Sequence, residues 1–115
     1  MVFCQFEAKR FEMLAGRFVE GRRPRLEIRD KVDLGFRIEK QSLFIFEIRP
    51  HWQNPEIKLE EMVAKTTFVR TQNVWKIYWQ RADMKWHLYG PVEEVDTIEE
   101  FFEVVDRDEN GCFWG

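Results

Sequence analysis

Basic and aromatic polar side chains alternate with apolar ones in several stretches of residues 43–89, a spacing that puts them on one side of a pleated strand. Lysine and arginine bind phosphate and carboxylate groups, and tyrosine rings stack on flat ligands such as nucleobases. A face that combines them predicts a binding surface for an anionic partner, with nucleic acid as the leading example. The candidate ligand-binding residues are Arg49, Lys65, Lys76, Tyr78, Lys85, His87 and Tyr89.

The same side chains also fit a face whose only role is to contact water. Antiparallel sheets commonly leave one face solvated, and a lysine opposite a glutamate is ordinary cross-strand pairing. The charge distribution permits an anionic partner without requiring one. Residues 93–109 contain nine acidic side chains and one basic side chain and carry a net charge of −8, which leaves +5 on the rest of a chain whose total is −3. A basic body attracts anionic ligands.

One imidazole on this face raises the alternative of a small enzyme. His87 with Glu47 or Asp83 would supply an acid and a base for hydrolysis. Asp33, followed by Glu47 and then Arg49, also resembles the carboxylate pattern of metal-dependent nucleases. An arginine stands where such a site needs a lysine, and arginine cannot lose a proton to act as a base. A binding module without catalytic activity is therefore the preferred prediction.

The cysteines and histidines do not form a recognisable metal site. Cys4, Cys112, His51 and His87 include no Cys-x-x-Cys pair and no histidine pair at helical spacing. The glycines are scattered and form no phosphate-binding loop. No metal and no cofactor is predicted. Cys4 falls on the apolar stripe of a predicted helix, so its thiol is expected to be buried.

Length and composition indicate one domain, residues 1–115, with a core rich in aromatic side chains. Two cysteines are too few for the disulfide framework of a small secreted domain. The chain shows no signal-peptide pattern and no apolar run of about 18 residues, so a soluble protein of the cytoplasm without membrane contact is expected. Aromatic residues make up 16% of the chain, and a surplus of them also allows a homodimer that buries some between subunits.

The apolar periodicity predicts the elements that would position these side chains. Residues 3–20 and 97–108 repeat apolar side chains at three- and four-residue steps, and Thr97 is placed to cap the second helix. The predicted fold is α+β, with an antiparallel meander of about five strands covered on one face by an N-terminal and a C-terminal helix. The apolar residues 112–114 are expected to dock on the body. The predicted strands are 34–39, 43–49, 62–71, 74–81 and 84–89.

Alternation along the strands sorts their residues into an apolar and a polar set. The apolar set is expected to face the two helices, and the polar set is expected to contain the candidate site. Trp52, in a loop between two prolines, is the tryptophan most expected in solvent. The apolar set is Phe36, Ile38, Phe44, Phe46, Ile48, Ala64, Phe68, Trp75, Ile77, Trp79, Trp86 and Leu88, and the polar set is Arg37, Glu39, Glu47, Arg49, Lys65, Thr67, Lys76, Tyr78, Gln80, Lys85, His87 and Tyr89.

Several unusual segments resemble those of a known family. They are AKTTFVR at 64–70, WKIYWQRADMKWHLY at 75–89 and DENGCFWG at 108–115, and the N-terminal half adds Arg23-Pro24, LGFRI and FEIRP. The whole chain is similar to the bacterial family called domain of unknown function 3024. The resemblance implies a small stand-alone bacterial protein. It implies no activity, because the family brings no assigned catalytic residues.

Overall fold

The computed structural model describes residues 3–114 as two layers, with two helices on one face of an antiparallel sheet. The predicted order of helix, meander and helix is confirmed. A single turn of 3₁₀ helix, Leu26–Ile28, separates the first helix from the sheet. The elements are α1 (Gln5–Arg22), β1 (Asp33–Glu39), β2 (Ser42–Pro50), β3 (Lys58–Val69), β4 (Val74–Gln80), β5 (Trp86–Leu88), β6 (Glu94–Val95) and α2 (Ile98–Arg107).

Helix α1 begins at a reciprocal cap formed with a cysteine. The backbone N–H of Glu7 donates to Cys4 Sγ at 3.5 Å, and the backbone N–H of Cys4 donates to Glu7 Oε1 at 3.0 Å. Each bond satisfies an amide near the helix start that has no partner within the helix. The prediction that Cys4 is buried is wrong, because the residue is exposed at the cap. The buried stripe of α1 is Phe11, Ala15 and Val19.

Glu7 also joins α1 to the sheet. Its carboxylate accepts hydrogen bonds at 2.7 and 3.3 Å from the guanidinium of Arg70, which follows β3. These bonds, and next the Cys4 amide, lower the pKa of Glu7 to about 2. A carboxylate whose pKa is lowered by folding stabilises the fold fully at any pH above the ordinary pKa of that carboxylate. This contribution is therefore present at neutral pH and is lost as the pH falls from about 4.5 towards 2.

The sheet is a meander in which each of the first four strands pairs with the next along the chain. Its strand order is β1-β2-β3-β4-β5, and all neighbouring strands are antiparallel. The short β6 pairs with β4, on the same side of β4 as β5. Glu39 lies opposite Ser42, so a two-residue loop at 40–41 joins β1 to β2. Lys40 in that loop has a φ of 55°, which a tight hairpin turn requires. The loop therefore sets the register of the first hairpin.

Strand β3 contains one extra residue opposite β2. Ile45 pairs with Ala64 and Phe46 pairs with Met62, so Val63 has no direct partner on β2. Such a bulge changes which side chains of a strand face which side of the sheet. As a result, Met62 projects to the opposite side from Ala64, although both positions are even-numbered.

The core fills the space between the helices and one face of the sheet. Ala15 of α1, Phe101 of α2, and Ile45 and Ile77 of the sheet are all 0% exposed. They belong to one continuous apolar cluster, whose burial is the main favourable term in folding. Within residues 3–114, no helix is long and apolar enough to cross a membrane.

The residues after α2 dock on the body, as predicted. Helix α2 is followed by Asp108, whose φ of 42° reverses the chain. The Asp108 carboxylate accepts the backbone N–H of Phe113 at 3.0 Å and that of Trp114 at 2.9 Å. The Trp114 indole N–H donates to the Val105 carbonyl at 2.8 Å, and Arg22 lies over the indole ring at 4.2 Å. Asp108 therefore holds this segment in place.

Candidate functional site

The face of the sheet that the helices leave uncovered, here called the open face, contains a row of side chains across four strands. Phe44 of β2 lies opposite Lys65 of β3, which lies opposite Tyr78 of β4. Tyr78 in turn lies opposite Leu88 of β5. Directly opposite residues project to the same side of a sheet. Ile77, the neighbour of Tyr78, is buried under the helices, so this row faces away from them.

Three aromatic rings surround the ammonium group of Lys65. The Nζ atom lies 5.2 Å from the centroid of the Tyr78 ring, 5.5 Å from that of Phe44 and 5.9 Å from that of Trp86. A cation within about 6 Å of a ring face is attracted by the ring quadrupole. The ion pairs formed within residues 3–114 do not include Lys65. Lys65 and the three rings, those of Phe44, Tyr78 and Trp86, are called the aromatic–lysine cluster.

Phe44 and Trp86 close the cluster across its width. They belong to β2 and β5, whose backbones would lie roughly 14 Å apart in a flat sheet. Their ring centroids are only 6.0 Å apart. Both side chains therefore lean inward over the two strands between them. Together with Tyr78 they form a half-buried aromatic surface rather than a row of separate, fully solvated side chains.

Arg37 lies on one flank of the open face with its charge already matched. Its guanidinium lies 5.0 Å from the Phe46 ring centroid and forms ion pairs with Glu39 at 3.2 Å and Glu60 at 2.9 Å. Phe46 packs over Gly35, where an added Cβ would lie 2.9 Å from the ring, and is only 5% exposed. The side chains of Arg37 and Phe46 on this flank are therefore held by contacts with other residues of the protein.

The open face is close to electrically neutral as a whole. Lys76, on the flank away from Arg37, lies directly opposite Glu94 of β6. Lys65, in the middle of the face, lies among aromatic rings, and the residues directly opposite it are Phe44 and Tyr78. By the strand register, the basic members are Arg37, Lys58, Lys65 and Lys76, and the acidic members are Asp33, Glu39, Glu60 and Glu94.

Three of the predicted ligand-binding residues lie together, and four do not join them. Lys65, Lys76 and Tyr78 share the open face. Arg49 projects to the side that the helices cover, where it forms an ion pair with Glu61 at 3.3 Å. The prediction that all seven candidates share one face is therefore wrong.

His87 and Tyr89 also project to the helix side, so their predicted place beside Lys76 is wrong. His87 lies opposite Trp79, which packs against the core. Tyr89 is only 2% exposed, and its ring packs on that of Phe113 with the centroids 4.8 Å apart. Tyr89 therefore belongs to the core.

The length of the loop between β4 and β5 explains why His87 and Tyr89, rather than Trp86 and Leu88, face the helices. Gln80 pairs with Trp86, so residues 81–85 form a longer loop where a two-residue turn had been expected. A shift of register by one residue moves every side chain of a strand to the other face. Trp86 and Leu88, predicted to face the helices, therefore lie on the open face. Lys85 lies in the loop and is exposed.

Strand β2 shows the same reversal. Leu43 and Ile45 are 0% exposed and belong to the core under the helices. The prediction that Phe44, Phe46 and Ile48 face the helices is therefore wrong, since they alternate with Leu43 and Ile45. Phe44 thus becomes a site candidate that the alternation of hydrophobic residues had placed in the core.

Of the two acids proposed as partners of His87, Asp83 contacts it and Glu47 does not. His87 Nε2 lies 2.8 Å from Asp83 Oδ2. Glu47 is on β2, three strands away from β5 and roughly 14 Å or more distant. The Lys85 amide, and next the His87 contact, lower the pKa of Asp83. The two side chains are 32% and 45% exposed, so the pair is open to solvent.

Asp33, the first acid of the nuclease-like pattern, is bound by an arginine. Arg23 donates to its two carboxylate oxygens at 2.9 and 2.8 Å. These bonds are the main reason that the pKa of Asp33 is lowered. Within residues 3–114, no three His, Cys, Asp or Glu side chains are grouped closely enough to hold a metal ion. Asp33 therefore joins the segment after α1 to the start of β1.

The fold and the open face define a class of small α+β domains in which two helices cover one side of an antiparallel meander and the other side stays uncovered. A family model described as Domain of unknown function (DUF3024) matches residues 3–115, and the chain belongs to that family. Comparison with curated proteins and with solved structures found no match.

Proposed function

We propose that this protein is a non-enzymatic binding module whose aromatic–lysine cluster binds single-stranded nucleic acid. The observation that carries the proposal is the Lys65 ammonium group, which lies among three aromatic rings on the open face. Every nucleobase has a π face that can stack on such rings. The neighbouring ammonium group would contact the phosphate of the stacked nucleotide.

The chemistry of the face favours single strands over duplexes. Bases are free to stack on side chains only where they are unpaired. Because the face is close to neutral, stacking rather than charge would supply most of the binding free energy. We expect dissociation constants of about 10–100 µM at physiological salt, within the range of binding without sequence specificity.

A salt titration with short single-stranded RNA and DNA tests this proposal. One phosphate contact through Lys65, with a second through Lys76, predicts a slope of log K against log salt of about −0.7 to −1.4. Anisotropy of a labelled oligonucleotide, measured on the full chain between about 50 and 200 mM salt, gives this slope. No binding at the lowest salt, or binding with a flat salt dependence, contradicts the proposal.

Two controls locate the charge and identify a competing occupant. Lys65→Gln should make the slope shallower by about 0.7, because one phosphate contact is lost. A matched duplex should bind more weakly than the single strand. A homodimer through the open face is the alternative occupant. Sedimentation over a range of concentrations would then show a dimer that the oligonucleotide does not dissociate.

The contact between His87 and Asp83 supports a second candidate, a small hydrolytic enzyme. With Nε2–H donating to the Asp83 carboxylate, Nδ1 of His87 is left to accept a proton from water. The carboxylate would orient the ring and stabilise its charged form. Both side chains are open to solvent, so a substrate could reach them.

Turnover of activated phosphate and acyl esters tests this candidate. His87→Gln should reduce the rate by at least about 100-fold, the usual contribution of a general base. Asp83→Asn should also reduce the rate, because the charge that orients the ring and stabilises its protonated form is lost. His51→Gln is the matched control, because the His51 ring lies in the loop between β2 and β3, where Nδ1 accepts the Gln53 and Asn54 amides. If the unaltered chain turns over no faster than His87→Gln, the enzyme proposal is wrong.

A further inference from the structure

A small cavity lies on the helix side of the fold, away from the open face. Three segments enclose it, namely the loop after β5, the second half of α2 and the turn that follows α2. Its volume is about 120 Å³. An apolar cavity of about 150 Å³ holds a benzene molecule, so this one accommodates a ligand of roughly four to six non-hydrogen atoms. Nucleotides are too large for it.

The inner part of the cavity combines apolar walls with one hydroxyl group. Tyr89, 2% exposed, is its most buried member, and half-buried Val92 and Val104 supply apolar walls. The Asn110 side-chain amide donates to the Tyr89 phenolic oxygen at 3.0 Å. Because the phenolic oxygen accepts this bond, the phenolic hydrogen is left to donate to another group.

The mouth of the cavity favours positive charge. It lies at the C-terminal end of α2, the negative end of the helix dipole, although the Val104, Val105 and Asp106 carbonyls already accept hydrogen bonds within the protein. Glu109 lines it, within the segment of net charge −8 at residues 93–109. Arg107 also lines it, but its guanidinium lies 3.8 Å from the Glu103 carboxylate, which offsets its charge.

We propose that this cavity binds a short aliphatic amine that carries a hydrogen-bond acceptor at its far end, such as an amino alcohol. The ammonium group would lie at the mouth beside the Glu109 carboxylate, at the C-terminal end of α2. The carbon chain would pack between Val92 and Val104, and the far hydroxyl would accept the hydrogen of Tyr89. This site is separate from the open face and does not depend on its function.

Amide chemical shifts of the full chain, titrated with 3-aminopropan-1-ol, test the proposal. Five non-hydrogen atoms support a dissociation constant of about 1 mM. We expect shifts confined to the amides of Gly90, Val92 and residues 104–110, because Pro91 has no amide hydrogen. Propylamine should bind about three- to tenfold more weakly, because it cannot accept the phenolic hydrogen. Propionate should not bind, because its charge has the wrong sign.

Substitutions separate the two polar contacts. Glu109→Gln should weaken the amino alcohol about fivefold, whereas Glu12→Gln, an exposed acid on α1, should leave it unchanged. Tyr89→Phe keeps the ring and should reduce the amino alcohol to the affinity of propylamine. Propionate binding as tightly as the amine, Glu109→Gln without effect, or shifts centred elsewhere would each overturn the proposal.

Discussion

Replacing Trp86 by alanine should weaken the binding of single-stranded nucleic acid by about 5- to 150-fold. A base stacked on an aromatic side chain contributes about 1–3 kcal/mol by alanine substitution, and 1.4 kcal/mol is a factor of ten. Trp86 has the largest ring of the aromatic–lysine cluster, 6.0 Å from the Phe44 ring and 5.9 Å from Lys65 Nζ. Its removal takes away stacking area and one wall of the cluster together. The anisotropy titration at fixed salt measures the loss.

The chain offers a matched control at a distant tryptophan. Trp52 is 82% exposed in the loop between β2 and β3, so Trp52→Ala removes the same side chain from a site outside the cluster. That variant should bind within about twofold of the unaltered chain, since it touches none of the proposed contacts. Trp86→Phe, which keeps a ring, should lose less affinity than Trp86→Ala. Equal losses from Trp52→Ala and Trp86→Ala would place the binding site elsewhere.

The helices follow directly from the sequence because their signals are local. In α2, the apolar residues Ile98, Phe101, Phe102 and Val105 recur at helical spacing, and all four are buried. Thr97 caps the helix by accepting the Glu100 amide at 3.2 Å, as its position predicts. A pattern and a cap within one short segment determine both the extent of the helix and its buried side.

Which side chains of β2 face the helices could also be derived from the sequence, but not from hydrophobicity. Leu43 and Ile45 alternate with equally apolar phenylalanines, so alternation does not show which set faces the helices. A two-residue turn at Lys40-Gln41 does show it, because such a turn puts Ile38 opposite Leu43. Leu43 must then share the face of Ile38. Counting the paired residues outward from this turn places Phe44 on the open face.

Which side chains of β5 face the helices depends on the length of the loop before it, and the sequence of that loop does not determine this length. Residues 81–85 contain no glycine or proline to mark where the chain turns. The Asp83 carboxylate accepts the Lys85 amide at 2.9 Å, and Met84 takes a φ of 63°, which together accommodate a longer loop. One residue more or less exchanges Trp86 with His87. The candidate site changes accordingly, from lysine, tyrosine and histidine to lysine among aromatic rings.

Replacing Asp108 by alanine should lower the free energy of unfolding by about 2–4 kcal/mol. Its carboxylate accepts two backbone amides, from Phe113 and Trp114, and a hydrogen bond to a charged group contributes about 1.5–3 kcal/mol. Alanine also tolerates a φ of 42° less well than aspartate does. Release of the segment would expose Phe113, which is 7% exposed when docked. The midpoint of urea unfolding measures the change.

Further variants separate the backbone effect at this position from the loss of the acceptors. Asp108→Gly tolerates the positive φ but loses both acceptors, whereas Asp108→Asn tolerates it and keeps one. The expected order of destabilisation is therefore alanine, then glycine, then asparagine. In each variant, the Trp114 indole N–H, which donates to Val105, reports release of the segment by its chemical shift. Glu103→Ala, at an exposed ion pair of 3.8 Å, should change stability by no more than about 0.5 kcal/mol. An equal effect from Glu103→Ala would mean that Asp108 acts through the charge of the acidic segment and not through the two amides it binds.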